Sequence, residues 1–68
     1  MTNTVLLEEY ISKSGYKKSY LASKIKKSSY ALALKINNKS EFKASEIDVL
    51  CDLLKLDTKT RMAIFFAN

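Results

Sequence analysis

The chain has 68 residues, no proline, one glycine and a formal net charge of +5. A chain of this length forms one small domain that buries only about 60% of its unfolded surface, so we expect marginal stability. The scarcity of proline and glycine favours helices over a sheet. Histidine is absent and Cys51 is the lone cysteine, with no glycine-rich phosphate loop or metal-spaced carboxylates, so we expect a non-enzyme without cofactor or metal.

The amino-terminal sequence and the apolar residues predict no membrane partner. No stretch approaches the roughly eighteen consecutive apolar residues of a membrane span. The opening segment TNTVLLEEY is acidic, whereas a secretory leader is basic. We therefore expect a cytoplasmic protein. Cys51 lies at helical spacing from apolar neighbours, which predicts a small core side chain.

Five helices are predicted in chain order. The first runs from about Thr4 to Ser14, with Asn3 or Thr4 as its cap and Gly15 in the left-handed conformation at its end. The second spans about 18–25, and residue 17 is a lysine that cannot accept a capping hydrogen bond. The third runs from 29 to about 37, behind the good cap Ser28. The fourth covers about 44–55, and the fifth begins after the cap candidates at 57 and 58 and reaches 66.

One face of the third helix is predicted to be exposed. Leu32 and Ile36 are the expected buried pair. Successive residues are rotated by about 100° around the helix axis, which determines the residues on the opposite face. That opposite face consists of Tyr30, Ala33, Leu34 and Asn37.

Positive charge is concentrated around the second and third predicted helices. Between Lys13 and Lys43 there are nine lysines and one acid, Glu41, which gives this segment a charge of about +8. Such a patch is the electrostatic footprint of a nucleic-acid-binding protein, because neutralising phosphates releases counterions. A solvated lysine face that serves solubility is the alternative interpretation.

The ordered pattern G-x5-L-A-x2-I-x2-S, followed by L-x3-I-N-N-K-S-E-F, resembles the helix-turn-helix family of phage Cro and cI-type repressors, the XRE family. The resemblance runs from Gly15 to the IFFA at 64–67. It implies an all-α, five-helix, lambda-repressor-like DNA-binding domain over residues 1–68, with the helix-turn-helix at about 17–37. Where the family has a turn glycine this chain has Lys26, which implies either an awkward backbone conformation there or a different turn.

The resemblance also implies roles for individual residues, since in this family the second helix lies across the DNA backbone and the third lies in the major groove. Lys26, Lys35 and Lys43 would add to the electrostatic field. The predicted base-reading face has no Arg, Gln or Asn at its amino end, so we expect modest sequence discrimination that depends partly on DNA shape. The phosphate-contacting residues would be Lys17, Lys18, Lys27, Asn37, Asn38 and Lys39, and the base-reading residues would be Ser29, Tyr30, Ala33 and Leu34.

The expected partner is a palindromic double-stranded DNA operator bound by a homodimer, in the nucleoid of a bacterial host. The resemblance to this family, together with a size of 68 residues in one domain, implies repression by occupying the operator and excluding polymerase. Two alternatives stay open. An antirepressor or modulator would use the face of Tyr30 and Leu34 to bind a repressor protein, and an RNA-binding module would need a stacking platform that the sequence does not reveal. The predicted dimer interface consists of Ile64, Phe65, Phe66 and Asn68.

Overall fold

Five α-helices account for most of residues 1–67, the part of the chain that the computed structural model describes, and this part contains no strand. The all-α prediction with five helices is therefore confirmed. Helix α1 ends at the predicted residue, and the other four helices end one residue earlier than predicted, because the predicted last residue of each is its carboxy-terminal cap. No helix within residues 1–67 has the length and apolarity that a bilayer span requires. The helices are α1 (Thr4–Ser14), α2 (Lys18–Lys24), α3 (Ser29–Ile36), α4 (Ala44–Leu54) and α5 (Thr58–Phe65).

All five helices contribute apolar side chains to one core. Helix α2 packs against α3, and α1 contacts both α4 and α5. Leu32 and Ile36 are buried as predicted, and Cys51 is a buried core residue whose thiol pKa is raised by burial. The fully buried side chains are Leu7, Leu21, Leu32, Ile36, Leu50 and Ile64.

Three helices begin at side-chain caps, as the sequence predicts. In each case an oxygen of the cap residue accepts one of the backbone N–H groups that the first helical turn leaves without a partner. Lys17, at the start of α2, makes no such bond, so α2 depends more on its packing against α3. The cap pairs are Asn3 with the Leu6 N–H, Ser28 with the Ala31 N–H and Asp57 with the Thr60 N–H.

Three helices end in a left-handed residue that is not glycine. Lys26, Asn38 and Lys55 have φ values of 60°, 63° and 56°. In each case the next residue donates its N–H to a carbonyl five positions earlier, as in a Schellman motif, with N···O distances of 2.9, 2.8 and 2.9 Å. The unusual conformation predicted for Lys26 is confirmed, and it closes the four-residue turn between α2 and α3.

The amino-terminal segment forms hydrogen bonds with the end of α3. The Thr2 N–H donates to Asn38 Oδ1 at 2.8 Å, and Asn38 Nδ2 donates back to the Thr2 carbonyl at 2.8 Å. The Thr4 hydroxyl donates to the Ile36 carbonyl at 2.6 Å. The Thr4 bond uses a carbonyl at the end of α3 that the helix itself cannot satisfy. The three bonds together fix the end of α3 relative to the start of α1.

Candidate nucleic-acid interface

The segment that contains α2 and α3 has many lysines and no acidic residue. No acidic residue occurs between Glu9 and Glu41. Of the nine lysines from Lys13 to Lys43, three form ion pairs, with Glu9, Glu8 and Glu46 respectively, and the other six form none within residues 1–67. The lysines without an ion pair are Lys17, Lys24, Lys26, Lys27, Lys39 and Lys43.

Lys35 does not belong to this exposed positive charge, contrary to the sequence-based expectation. Its side chain is 9% exposed. Its Nζ donates to the Glu41 carbonyl at 2.8 Å and pairs with Glu46 Oε1 at 3.0 Å. The ammonium group also lies 6.0 Å from the centre of the Phe42 ring. The spacing of residues within α3 does not predict this ion pair, because the partner, Glu46, lies on α4. Lys35 therefore joins the end of α3 to α4 rather than facing solvent.

Glu46 stays ionised in this buried position. Burial acts to raise the pKa of the Glu46 carboxyl, but the Lys43 N–H and the Lys35 ammonium together hold it below the ordinary glutamate value. The Lys43 N–H donates to Glu46 Oε1 at 2.8 Å. Glu46, at the third position of α4, thus makes the half of a capping box in which the side chain accepts the N–H of the residue before the helix.

The predicted base-reading residues of α3 lie on its outward side. Tyr30 is 74% exposed, and Ser29 and Ala33 are exposed as well. Leu34 is half-buried, so only part of its side chain is accessible to a partner. The exposed part of this face consists of small residues around one projecting tyrosine, and the Ser28 cap fixes its amino end.

The predicted phosphate-contacting lysines lie at both ends of this face. Lys17 precedes α2, Lys27 lies in the turn before α3, and Lys39 follows α3; all three are exposed. Lys18 is also exposed, but its Nζ pairs with Glu8 Oε2 on α1 at 2.8 Å. A phosphate at Lys18 would have to compete with this carboxylate.

Asn37 and Asn38 have most of their hydrogen-bonding groups occupied. The Asn37 N–H and Nδ2 both donate to the Ala33 carbonyl, at 3.1 and 2.9 Å. The Asn38 side chain is committed to Thr2, and its N–H donates to the Lys35 carbonyl at 3.3 Å. Both residues close α3, and Asn37 keeps one amide proton and its Oδ1 for another partner.

Tyr16, in the segment before α2, and Tyr20, on α2, form an exposed stack that the sequence-based predictions do not include. The rings of Tyr16 and Tyr20 are 5.1 Å apart between centroids with an interplanar angle of 25°. Lys24 Nζ lies 5.2 Å from the centre of the Tyr20 ring. The spacing of four residues predicts the contact of Lys24 with Tyr20, because such residues are neighbours on a helix surface. It does not predict the stack of Tyr16 on Tyr20, because Tyr16 precedes the helix.

Most of the predicted dimer interface is buried inside the monomer. Ile64 is fully buried and its carbonyl accepts the Asn3 N–H at 2.6 Å. Phe65 packs edge-on against Phe42, with ring centroids 5.3 Å apart. Phe66 is 50% exposed, and Asn68 lies outside the described residues. Among the described members of that set, Phe66 is the side chain with substantial surface for a second copy.

The α2–α3 pair thus brings an exposed helix face and exposed lysines together on one part of the molecule. The lysines lie before α2, in the turn and after α3. Acidic side chains lie mainly on α1, α4 and the segment after α4. This distribution makes the α2–α3 pair the candidate interface for a polyanion. Comparison with protein-family models, with curated proteins and with solved structures finds no match to this chain.

Proposed function

We propose that the protein is a DNA-binding transcriptional regulator of the Cro-like helix-turn-helix kind, which inserts α3 into the major groove of an operator. The observation that carries the proposal is the exposed α3 face between exposed lysines at both of its ends. A protein that reads a duplex needs cations to position it on phosphates and a separate face to touch base edges. The α2–α3 pair offers both.

The dimensions of α3 suit a major groove. An α-helix with its side chains is about 10–12 Å in diameter, and the eight residues of α3 give a length of about 12 Å. B-DNA has a major groove about 12 Å wide and about 8.5 Å deep, which admits an α-helix. The small side chains of Ser29 and Ala33 let the helix approach the base edges, and Tyr30 projects furthest from it. The lysines before and after α3 would then lie near the two phosphate backbones.

The chemistry of this face supports moderate sequence discrimination. Ala33 and the Tyr30 ring suit apolar contact with thymine methyl groups, and Ser29 and the Tyr30 hydroxyl suit single hydrogen bonds. A bidentate contact to guanine or adenine needs Arg, Asn or Gln, and none lies at the amino end of α3. Sequence-dependent DNA shape then carries part of the specificity.

The size of the molecule supports binding by two copies on one operator. The Cα atoms span 27 × 24 × 21 Å, and half-sites one helical turn apart are separated by about 34–36 Å. Two copies on successive major grooves would therefore meet once their side chains are included. Such a dimer would cover promoter DNA and repress by excluding polymerase.

The experiment selects ligands from a random duplex library and compares variants on the selected site and on scrambled DNA. Lys17→Ala with Lys39→Ala should weaken binding to every duplex alike, because phosphate contacts carry no sequence information. Tyr30→Ala should change the ratio between the selected and the scrambled site. Lys55→Ala with Lys59→Ala removes the same charge outside the α2–α3 pair and serves as the matched control.

The proposal fails if both double-lysine variants lose the same affinity, since a generic basic surface would then explain the binding. A second candidate function, an antirepressor that binds a repressor protein, is favoured by the high exposure of Tyr30. Aromatic anchors of this kind are enriched at protein interfaces. In that case partner affinity would depend on Tyr30 and hardly on salt, and selection from duplex DNA would enrich no sequence.

A further inference from the structure

We infer that Tyr16, Tyr20 and Lys24 form a second phosphate-contacting surface along α2, which binds the backbone of duplex DNA through the two tyrosine hydroxyls and the lysine ammonium. This inference rests on the proposed function. It assigns to α2 a row of contacts beyond its amino end, and it gives the stacked tyrosines a binding role.

Tyr20 and Lys24 lie on the exposed side of α2, one step of four residues or about 6 Å apart along the helix. Tyr16 lies in the segment before α2 and extends the row through its stack on Tyr20, with ring centroids 5.1 Å apart. The buried residues of α2, Leu21 and Ala22, lie on the opposite side. Tyr16 and Tyr20 are 38% and 39% exposed, so each ring is partly covered and yet accessible.

The row is held in place before any ligand binds. The Tyr16 N–H donates to Ser14 Oγ at 3.1 Å, directly after the left-handed Gly15. The Tyr16 and Tyr20 rings stack on each other. The Lys24 ammonium lies over the Tyr20 ring. Ordered side chains lose less conformational entropy on binding than mobile ones, so preorganisation increases affinity.

The surroundings of the row favour phosphate over other ligands. Tyrosine hydroxyls and lysine ammonium groups are both common donors to phosphate oxygens. Lys17, Lys26 and Lys27 lie next to the row in sequence and make no ion pair within residues 1–67, so the local potential is positive. The row lies on the helix that packs against α3, and contacts from it would extend the footprint of the same interface.

A purely structural role is the main competing explanation. The stack of Tyr16 on Tyr20 would hold the segment before α2 against the helix, and α2 lacks a side-chain cap. Single-stranded nucleic acid is another possible ligand, because exposed aromatic rings beside lysines accept stacked bases. Phenylalanine separates these explanations, since it keeps the ring and the stack and removes only the hydroxyl.

The test measures the affinity of the Tyr16→Phe, Tyr20→Phe double variant for the selected duplex, for scrambled duplex and for a single strand of equal length. We expect a loss of about fivefold for each hydroxyl on both duplexes, with an unchanged salt slope, because no charge is removed. Lys24→Gln should instead lower the slope by about 0.9 per protomer. Tyr10→Phe, a tyrosine on α1 that also lies under a lysine at 5.6 Å, is the matched control.

Unchanged duplex affinity in the double phenylalanine variant would overturn the inference, provided that the Lys17→Ala, Lys39→Ala variant still weakens binding. The proposed function would then stand without a contact row on α2. If wild-type protein binds no duplex at all, the proposed function itself fails. If single-strand binding exceeds duplex binding and survives in the phenylalanine variant, the row stacks bases and the inference is also overturned.

Discussion

Glu46 ties the beginning of α4 to the end of α3 through one carboxylate. It accepts the Lys43 N–H and pairs with the buried Lys35 ammonium. A buried pair of this kind gains little over apolar packing, but removing one partner leaves a charge buried without compensation. Stability should therefore depend on keeping Glu46 ionised.

The first prediction concerns acid sensitivity. A carboxyl whose pKa is lower in the folded state stabilises the fold above its unfolded pKa, and this stabilisation is lost as the pH falls through the folded pKa. Because the pKa of Glu46 is lowered from the ordinary value of about 4.5, the loss should occur below about pH 4.5. Urea unfolding from pH 7 to pH 3 measures it.

Glu46→Gln is the variant that isolates this effect. The amide keeps an acceptor for the Lys43 N–H but leaves Lys35 without a negative partner, which should cost about 1–3 kcal/mol at pH 7. The curves for wild type and variant should converge in acid. The pKa of Asp57 is also lowered, by the Thr60 N–H and hydroxyl, and this contribution is common to both proteins. Parallel curves down to pH 3 would contradict the assigned role of Glu46.

The second prediction concerns Lys55, which closes α4 with a φ of 56°. A side chain in the left-handed region costs about 1 kcal/mol, and glycine removes that cost. Lys55→Gly should therefore raise the melting temperature by about 4–8 °C. Lys59→Gly, within the first turn of α5, should lower it instead, because glycine is unfavourable inside a helix. A lower melting temperature for Lys55→Gly would contradict the prediction.

At the level of elements, α1 restrains α2 through the exposed Glu8–Lys18 pair. An exposed ion pair contributes only about 0–1 kcal/mol to stability. Its main effect is therefore to reduce the availability of the Lys18 ammonium for a phosphate. The third prediction is that Glu8→Gln tightens DNA binding several-fold at low salt and steepens the salt dependence by about 0.9 per protomer, because Lys18 is freed for a phosphate.

Glu9→Gln is the matched control for that change. It removes the same charge from the same helix, but its partner is Lys13 within α1, at 3.0 Å. Fluorescence anisotropy with a labelled duplex measures both variants. Equal effects of Glu8→Gln and Glu9→Gln would show that net charge alone governs binding, and would contradict a specific restraint on Lys18.

The extent to which the sequence determines these elements differs between local and long-range features. Caps at Asn3, Ser28 and Asp57, the left-handed Gly15 and the period of Leu32 and Ile36 act within a few residues, and they predict the helices to within one residue. Lys35 is buried together with its partner Glu46, which lies eleven positions away on another helix. The position of Lys35 three residues after Leu32 would be the same if its side chain faced solvent, so local spacing does not predict its burial.

The candidate interface shows the same limit. The sequence predicts which residues of α3 face outward, because helical period fixes that face. It does not predict that Glu8 of α1 reaches Lys18, or that Asn38 is occupied by Thr2. Both contacts join segments far apart in sequence. Local spacing therefore predicts the candidate surface, and tertiary contacts decide which of its groups are free to bind.

At the level of the whole molecule, self-association requires surface that the monomer leaves exposed. Ile64 and Phe65 are buried in the core, and truncating such residues costs about 2–5 kcal/mol, enough to unfold a domain of this size. Phe66 is half-exposed, so its loss should leave the fold intact. Dimerisation through the carboxy-terminal region therefore stays a prediction that depends chiefly on Phe66.

The fourth prediction is that Phe66→Ala remains folded and sediments as a monomer at concentrations where the wild type is a dimer. Met62→Ala, one turn earlier on α5 and 53% exposed, is the matched control for lost apolar surface. Analytical ultracentrifugation with circular dichroism measures association and folding together. A Phe66→Ala variant that dimerises like the wild type would contradict this interface.

The measurement that tests the central claim most directly is an anisotropy titration of wild-type protein on duplex from upstream of its own gene and on scrambled duplex, across a range of salt. We predict a log–log salt slope of about −7 for a dimer with about four phosphate contacts per protomer, and a preference for the upstream fragment that persists at near-physiological salt. Binding that disappears equally for both duplexes as salt rises would contradict an operator-binding regulator.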